Sequence, residues 1–340
     1  MYLKTSLVCS FAVAAAVLAL GACSNGGSQI APLTNTSRAV MELGVGGAHP
    51  NDTGLRMVDP AAVKAQIFVG QYGGPSAPGE VNDYVANNSK NRKEFCQIAD
   101  LTGVNSLGVD STGELWIPQE TASGVNEITS NAPNCGKAGI TLSDPNGQPA
   151  DIAFASNGTR YVSDLVGNGS TAGDISVYPK GKTAPTSKLT NSLVFYSQGA
   201  GVDSHNNVYQ SWVNQAQSAG GILKYSAGKM PGKLLKAIKI TIPGGPIFDK
   251  SDNLIVTDDA TTAVNIYTPP YTKAPKTFPL KGIGPQCSLN AAETSIACGD
   301  PGNNSVDVYK YPAGTYMYSF NSGLGGSPLV TIGVAQDPSK

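Results

Sequence analysis

Histidine is almost missing from this chain: among 340 residues there are two, His49 and His205. A Ser-His-Asp hydrolase needs a histidine base held against its nucleophile. His49 falls in a Gly- and Asn-rich N-terminal stretch, and His205 sits in the turn Asp203-Ser204-His205-Asn206, so neither is placed for that work. Charge is sparse as well. Only 14% of residues are Asp, Glu, Lys or Arg, and 23 basic against 24 acidic residues leave a net charge of −1. That balance gives no electrostatic footprint for nucleic acid or an anionic membrane surface. No Walker pattern occurs, and Gly323-Leu324-Gly325-Gly326 lacks the strand-to-helix context of a phosphate cradle. No CxxC spacing supports a metal or redox centre. The one long apolar run, Leu7 to Leu20, is short for a membrane span.

What the chain does have is repetition. Six strand-like units recur, at Val81-Asn82-Asp83-Tyr84, Val125-Asn126-Glu127-Ile128, Ile175-Ser176-Val177-Tyr178, Ile222-Leu223-Lys224-Tyr225, Val264-Asn265-Ile266-Tyr267 and Val306-Asp307-Val308-Tyr309. Their last residues are 44, 50, 47, 42 and 42 positions apart. About a dozen to twenty residues earlier in each repeat lies a second, aromatic and β-branched segment, such as Glu114-Leu115-Trp116-Ile117 or Asn207-Val208-Tyr209-Gln210. A turn precedes most of these, as in Asp110-Ser111-Thr112-Gly113 and Asp203-Ser204-His205-Asn206, where Asp bonds the local backbone and Gly or Asn tolerates positive φ. Before the turn comes an innermost strand, such as Ser106-Leu107-Gly108-Val109 or Asp151-Ile152-Ala153-Phe154. After the third strand comes a more variable fourth, such as Leu193-Val194-Phe195-Tyr196.

Four strands in about 45 residues make one blade of a β-propeller. The first copy starts at Gln66 without an innermost strand, whereas the chain finishes on Val330 to Pro338, which reads as an innermost strand with no partner after it. The expected fold is therefore all-β, a six-bladed β-propeller over residues 61–340, closed by pairing the C-terminal strand into the first blade. Forty Gly and 23 Pro suit such a turn-rich protein.

Residues 1–22 read as a signal segment: Lys4 gives a positive start, and the apolar run ends in Leu20-Gly21-Ala22-Cys23. That tetrapeptide resembles the bacterial lipobox. The resemblance implies a diacylglycerol thioether on Cys23, cleavage before it and acylation of the new amine, which together anchor the chain in a lipid bilayer. Residues 23–60, opening on Ser24-Asn25-Gly26-Gly27-Ser28 after the cysteine, have the composition of a flexible tether. The expected location is the bacterial cell envelope, on its periplasmic or extracellular face. In an exported protein the four cysteines beyond Cys9 and Cys23 suggest disulfides. Three pairings and four free thiols are all open. Repeat position favours Cys96–Cys135 between blades and Cys287–Cys298 within one.

The segments Asn105 to Ile117 and Asp151 to Asp164 resemble the repeat of NHL-type and gluconolactonase-like propellers, in which a Gly-apolar-Ala-apolar-Asp strand turns into an apolar-Tyr-Val strand; the likeness covers about residues 62–338. It implies a divalent cation such as calcium on the channel axis, held by a Glu, Asn residues and an Asp at the starts of innermost strands, polarising a lactone carbonyl. In this chain the first register reads Asn105, Ala150, Gln198, Gly244, Pro285 and Val330, and the next reads Ser106, Asp151, Gly199, Gly245, Gln286 and Thr331. Asp151 is the only carboxylate, and no Glu matches.

Asn105, Asp151, Gln198 and Gln286 are thus candidates for a polar channel mouth, or for residues that satisfy backbone groups at strand starts. The recurring Asp110, Asp203 and Asp249, and Asp164, Asp258 and Asp300, are expected to cap turns. Trp116 is expected to pack in the core; Trp212 is either loop packing or an exposed binding aromatic for sugar or peptide. The function expected is a non-catalytic envelope lipoprotein whose propeller binds an envelope protein, peptide or glycan, or serves as a scaffold. No cofactor is expected, and a metal-dependent hydrolase is the alternative.

Overall fold

The structure is a computed structural model that describes residues 66–73, 78–85, 94–119, 126–131, 138–145, 147–167, 172–324 and 332–336. The signal segment, the tether and Cys135 lie outside the described residues. Six four-stranded antiparallel sheets form the six blades expected. Blade 1 consists of Ile332–Gln336, Gln66–Gln71, Gly79–Val85 and Glu94–Leu101, written from the innermost strand outward. Blade 2 follows with Gly108–Val109, Leu115–Gln119, Asn126–Asn131 and Ala138–Asp144, and blade 3 with Gly147–Phe154, Arg160–Gly167, Asp174–Tyr178 and Ser187–Leu189. Blade 4 is Tyr196–Val202, Val208–Val213, Gly220–Tyr225 and Lys233–Leu234; blade 5 is Ile247–Phe248, Leu254–Asp258, Ala263–Tyr267 and Lys276–Pro279. Cys287–Leu289, Ser295–Asp300, Ser305–Lys310 and Tyr316–Phe320 complete blade 6.

The ring closes as the sequence predicts. Ile332–Gln336 pairs antiparallel with Gln66–Gln71, in the register Ile67 to Gln336 through Gln71 to Ile332. It also touches the innermost strands of blades 2 and 6. Closure removes a sheet edge that would otherwise offer unpaired N–H and C=O groups.

Side chains alternate across a strand, so each blade has two faces to bury. Both are covered here, by one apolar cluster between each pair of neighbouring blades. Phe68 faces blade 2, with Leu107, Leu115 and Ile117. Its neighbours Ile67 and Val69 face the other way, onto Val306, Val308 and Phe320 of blade 6. The second strands of blades 1, 2, 4 and 5 are buried at every residue, and the repeated Tyr84, Ile128, Tyr178, Tyr225, Tyr267 and Tyr309 are at most 2% exposed.

Three readings need correction. Leu193 to Tyr196 is not the fourth strand of blade 3; that strand is Ser187–Leu189, and Tyr196 opens the innermost strand of blade 4. Val194 and Tyr196 are both buried, Val194 by packing between blades 3 and 4, and that spacing mimics a strand pattern. Trp212 lies in the strand Val208–Val213, is 7% exposed and belongs to the cluster between blades 3 and 4, so it is neither an exposed aromatic nor loop packing. Asp164 does not cap a turn: Ser176 Oγ donates to it at 2.8 Å, and it is buried beside Asp144 and Asp174. Asp258 and Asp300 do cap turns, accepting the N–H groups of Ala260 and Asn303. Trp116 packs as expected, 1% exposed, its Nε1 donating to Asp110 Oδ2 at 3.0 Å.

The hairpin turns carry a further device. Asp110, Asp203 and Asp249 each accept N–H groups two and four residues on, as Asx turns do. The fourth turn residue has positive φ in each case: Gly113 and Gly158, then Asn206, Asp252 and Glu293. Where that residue has a side chain, it accepts the N–H of the preceding blade's turn, at Ser156 (2.8 Å), Ser204 (2.9 Å) and Lys250 (2.7 Å) respectively. These contacts clasp blades 3 to 6 at the turn end of the channel.

Cys287 and Cys298 face each other across blade 6 and are disulfide-bonded, with Cα atoms 4.1 Å apart. Cys96 is also disulfide-bonded.

Candidate functional site

The start of each innermost strand sits at one end of the channel and its hairpin turn at the other. Asp151 occupies the second register position of blade 3 and is 5% exposed. Ser106 Oγ of blade 2 donates to its Oδ1 at 2.6 Å, and the N–H of Ile152 donates to the same oxygen at 2.9 Å. Gln286 Nε2 reaches across from blade 6 to Oδ1 at 3.3 Å, and donates to Ser106 Oγ and to Leu107 O as well. The Leu107 N–H returns a bond to Gln286 Oε1 at 3.3 Å. Oδ2 accepts a single bond, from the Ala200 N–H of blade 4 at 3.1 Å. Desolvation outweighs these donors and pushes the Asp151 carboxyl up to about 6.

Of the four sequence candidates, Asp151 and Gln286 share this network. Asn105 instead donates to Pro149 O at 3.0 Å, tying the strand entries of blades 2 and 3 together. Gln198 is the extra residue of a bulge between Ser197 and Gly199, half-buried and outside the network. Ser106 joins Asp151 and Gln286 although nothing but its shared register singled it out.

Beyond this polar layer the channel opens into a cavity of about 300 Å³. Its wall includes Val109, Phe154, Val202, Phe248 and Leu289, all half-buried. Each is the last residue before its blade's hairpin turn, so the channel carries an apolar collar contributed by blades 2 to 6. Sequence reasoning missed this collar, although an apolar residue at one fixed repeat position was its signature. Lys250 and Glu293 stand at the turn end of the cavity; Lys250 Nζ donates to Ala291 O at 2.7 Å. Gly199 and Gly245 border the carboxylate: a Cβ on Gly199 would come within 2.8 Å of Asp151 Oδ2, and one on Gly245 within 3.0 Å.

A divalent cation does not fit these residues. It needs several oxygen ligands, and the channel layer supplies one carboxylate whose Oδ1 is already surrounded by three donors. No group of three or more His, Cys, Asp or Glu among the described residues is arranged to hold a metal. No nucleophile–base pair lies in the cavity wall either: its titratable side chains are Asp151, Lys250 and Glu293.

No family model matches the chain, and no curated protein matches it in sequence. Solved structures do match. A chain in the crystal structure of a nidogen/laminin complex superposes with a TM-score of 0.62 at 17% identity, over 81% of this chain and 99% of that one. A protein of unknown function from Bacteroides caccae gives 0.59 at 11% identity, over 80% and 98%. Streptogramin B lyase gives 0.47 at 10% identity, over 77% and 74%. At identities this low the first two establish the β-propeller fold, and a fold shared this widely does not carry an activity with it.

Proposed function

We propose that this chain is a lipid-anchored protein of the bacterial cell envelope whose propeller is a non-catalytic binding domain. The observation that carries the binding half is the channel itself: an open cavity with an apolar collar, ending on a polar layer whose donors and acceptors are committed mostly to one another. A catalytic site keeps its reactive groups facing the substrate and pairs a nucleophile with a base, whereas here the polar layer ties four blades together.

The anchoring half rests on Leu20-Gly21-Ala22-Cys23 at the end of the apolar run and on the tether that follows. Acylated Cys23 fixes the chain to the bilayer, and the tether of residues 24–60 gives the propeller freedom to meet an envelope protein, peptide or glycan. The finer NHL-like or gluconolactonase-like kinship belongs to the same proposal and rests on the repeat grammar of residues 105–117 and 151–164.

The test of anchoring is metabolic labelling with a fatty acid. The full chain should take up label and partition into membranes, and Cys23→Ala should lose both. A chain that stays unlabelled and in the soluble fraction would contradict the proposal.

A further inference from the structure

Asp151 is a buried carboxylate without a cation. The ion pairs among the described residues lie elsewhere, at Lys188–Asp174, His205–Asp252 and Lys224–Asp203. What raises its pKa is desolvation, opposed only by hydrogen bonds. A carboxylate has room for about four hydrogen bonds, two on each oxygen. Oδ1 is saturated, whereas Oδ2 has used one place, for the Ala200 N–H.

The unfilled side of Oδ2 is the side framed by Gly199 and Gly245. Apart from its own chain neighbours, a Cβ built on Gly245 would meet within 4 Å only the Asp151 carboxyl, so the wall beside Oδ2 is otherwise uncrowded. Any side chain there would cover the free lone pair. Glycine at 245 therefore leaves an acceptor exposed at the floor of an apolar cavity.

Charge and shape now select the ligand. An anion is repelled by Asp151, and a neutral molecule leaves the carboxylate without a counter-charge in a low-dielectric site. A metal ion finds too few oxygens. An organic ammonium needs one carboxylate and leaves the rest of the ligand to the apolar collar. From Asp151 to the collar at Phe154 is three strand residues, about 10 Å at roughly 3.3 Å each. We propose that the channel cavity binds a small primary ammonium ion with an apolar body, its nitrogen donating to Asp151 Oδ2 and its body lying among Ile152, Phe154, Val202, Phe248 and Leu289. The inference deepens the binding reading above and rests on it.

The test is calorimetric titration of the full chain in detergent with benzylammonium, benzyl alcohol and phenylacetate, each against a detergent blank. Benzylammonium should bind at one site per chain at pH 8, and the alcohol and the acid should not. Only the ionised carboxylate competes for the cation, so affinity should fall about tenfold by pH 5 for a group titrating near 6. Asp151→Asn should abolish binding. Because that variant also disturbs the polar layer, Gly245→Val serves beside it: it fills the open wall and should abolish binding while the melting temperature is retained. Equal binding of the alcohol, or unchanged binding by Gly245→Val, would overturn the inference. Fatty-acid labelling of Cys23 reads anchoring separately. An anchored chain that ignores benzylammonium loses only the ligand class, and an unanchored chain that binds it loses only the location.

Discussion

Deleting residues 332–340 is expected to abolish the soluble monomer. The deletion removes the innermost strand of blade 1 and its five-residue register with Gln66–Gln71. Each ladder hydrogen bond contributes about 1 kcal/mol net, so several kcal/mol are lost from a typical total of about 5–15 kcal/mol. The exposed edge belongs to a strand that is buried at every residue and has no charged side chain to discourage pairing with another copy. The same strand feeds two of the interblade clusters, through Phe68 on one face and Ile67 and Val69 on the other, so the damage reaches blades 2 and 6. Size-exclusion chromatography with a thermal melt should find aggregate and no cooperative transition. A monomer that melts like the full chain would show that closure contributes little.

Acidification from pH 8 to pH 5 is expected to raise the melting temperature, against the common behaviour of proteins that lose stability as carboxylates protonate. Burial pushes Asp151 up to about 6 and Asp259 up to about 7, the latter helped by the neighbouring Asp258 charge. Burial, then the charges of Asp144 and Asp174, hold Asp164 well above the ordinary carboxylate value. A carboxyl raised on folding binds more protons in the native state than in the unfolded chain. Its contribution is complete below the ordinary value near 4 and is lost as pH rises through the folded value, here between about 4 and about 7. Asp110 and Asp252 are lowered, and their opposite effect falls below pH 4.

For Asp151 a shift of about two units corresponds to about 3 kcal/mol. Asp164→Asn isolates one contributor: Asn can still accept from Ser176 and can donate to an acidic neighbour. It should raise the melting temperature by a few degrees at pH 8 and leave it nearly unchanged at pH 5. A profile that falls on acidification over this window, or an Asp164→Asn variant that is less stable at pH 8, would contradict the assignment.

Much of the architecture was legible because the repeat wrote it six times. Tyr84, Tyr178, Tyr225, Tyr267 and Tyr309 recur at one position because each is a large side chain sealed between blades, and the turn aspartates recur because each closes the same Asx turn. Repetition failed as a guide where a blade departs from its siblings. Asp164 shares a register with Asp258 and Asp300, yet the chain around it buries it among acids. Leu193 to Tyr196 alternates like a strand, yet Leu193 is exposed and Val194 is buried by packing between blades rather than in a fourth strand.

The channel was only half legible. The first two registers of the innermost strands pointed to Asp151 and Gln286. Register alone could not tell that Asn105 turns to Pro149 or that a bulge carries Gln198 aside. The apolar collar went unseen because Val, Phe and Leu before a turn look like ordinary core.

The central claim is that this channel binds without catalysing, and lactone hydrolysis by the purified full chain measures it most directly. Assayed with calcium and with chelator, the chain should hydrolyse gluconolactone no faster than buffer in either case, and Asp151→Asn should change nothing. Turnover that chelator abolishes and Asp151→Asn removes would contradict the account.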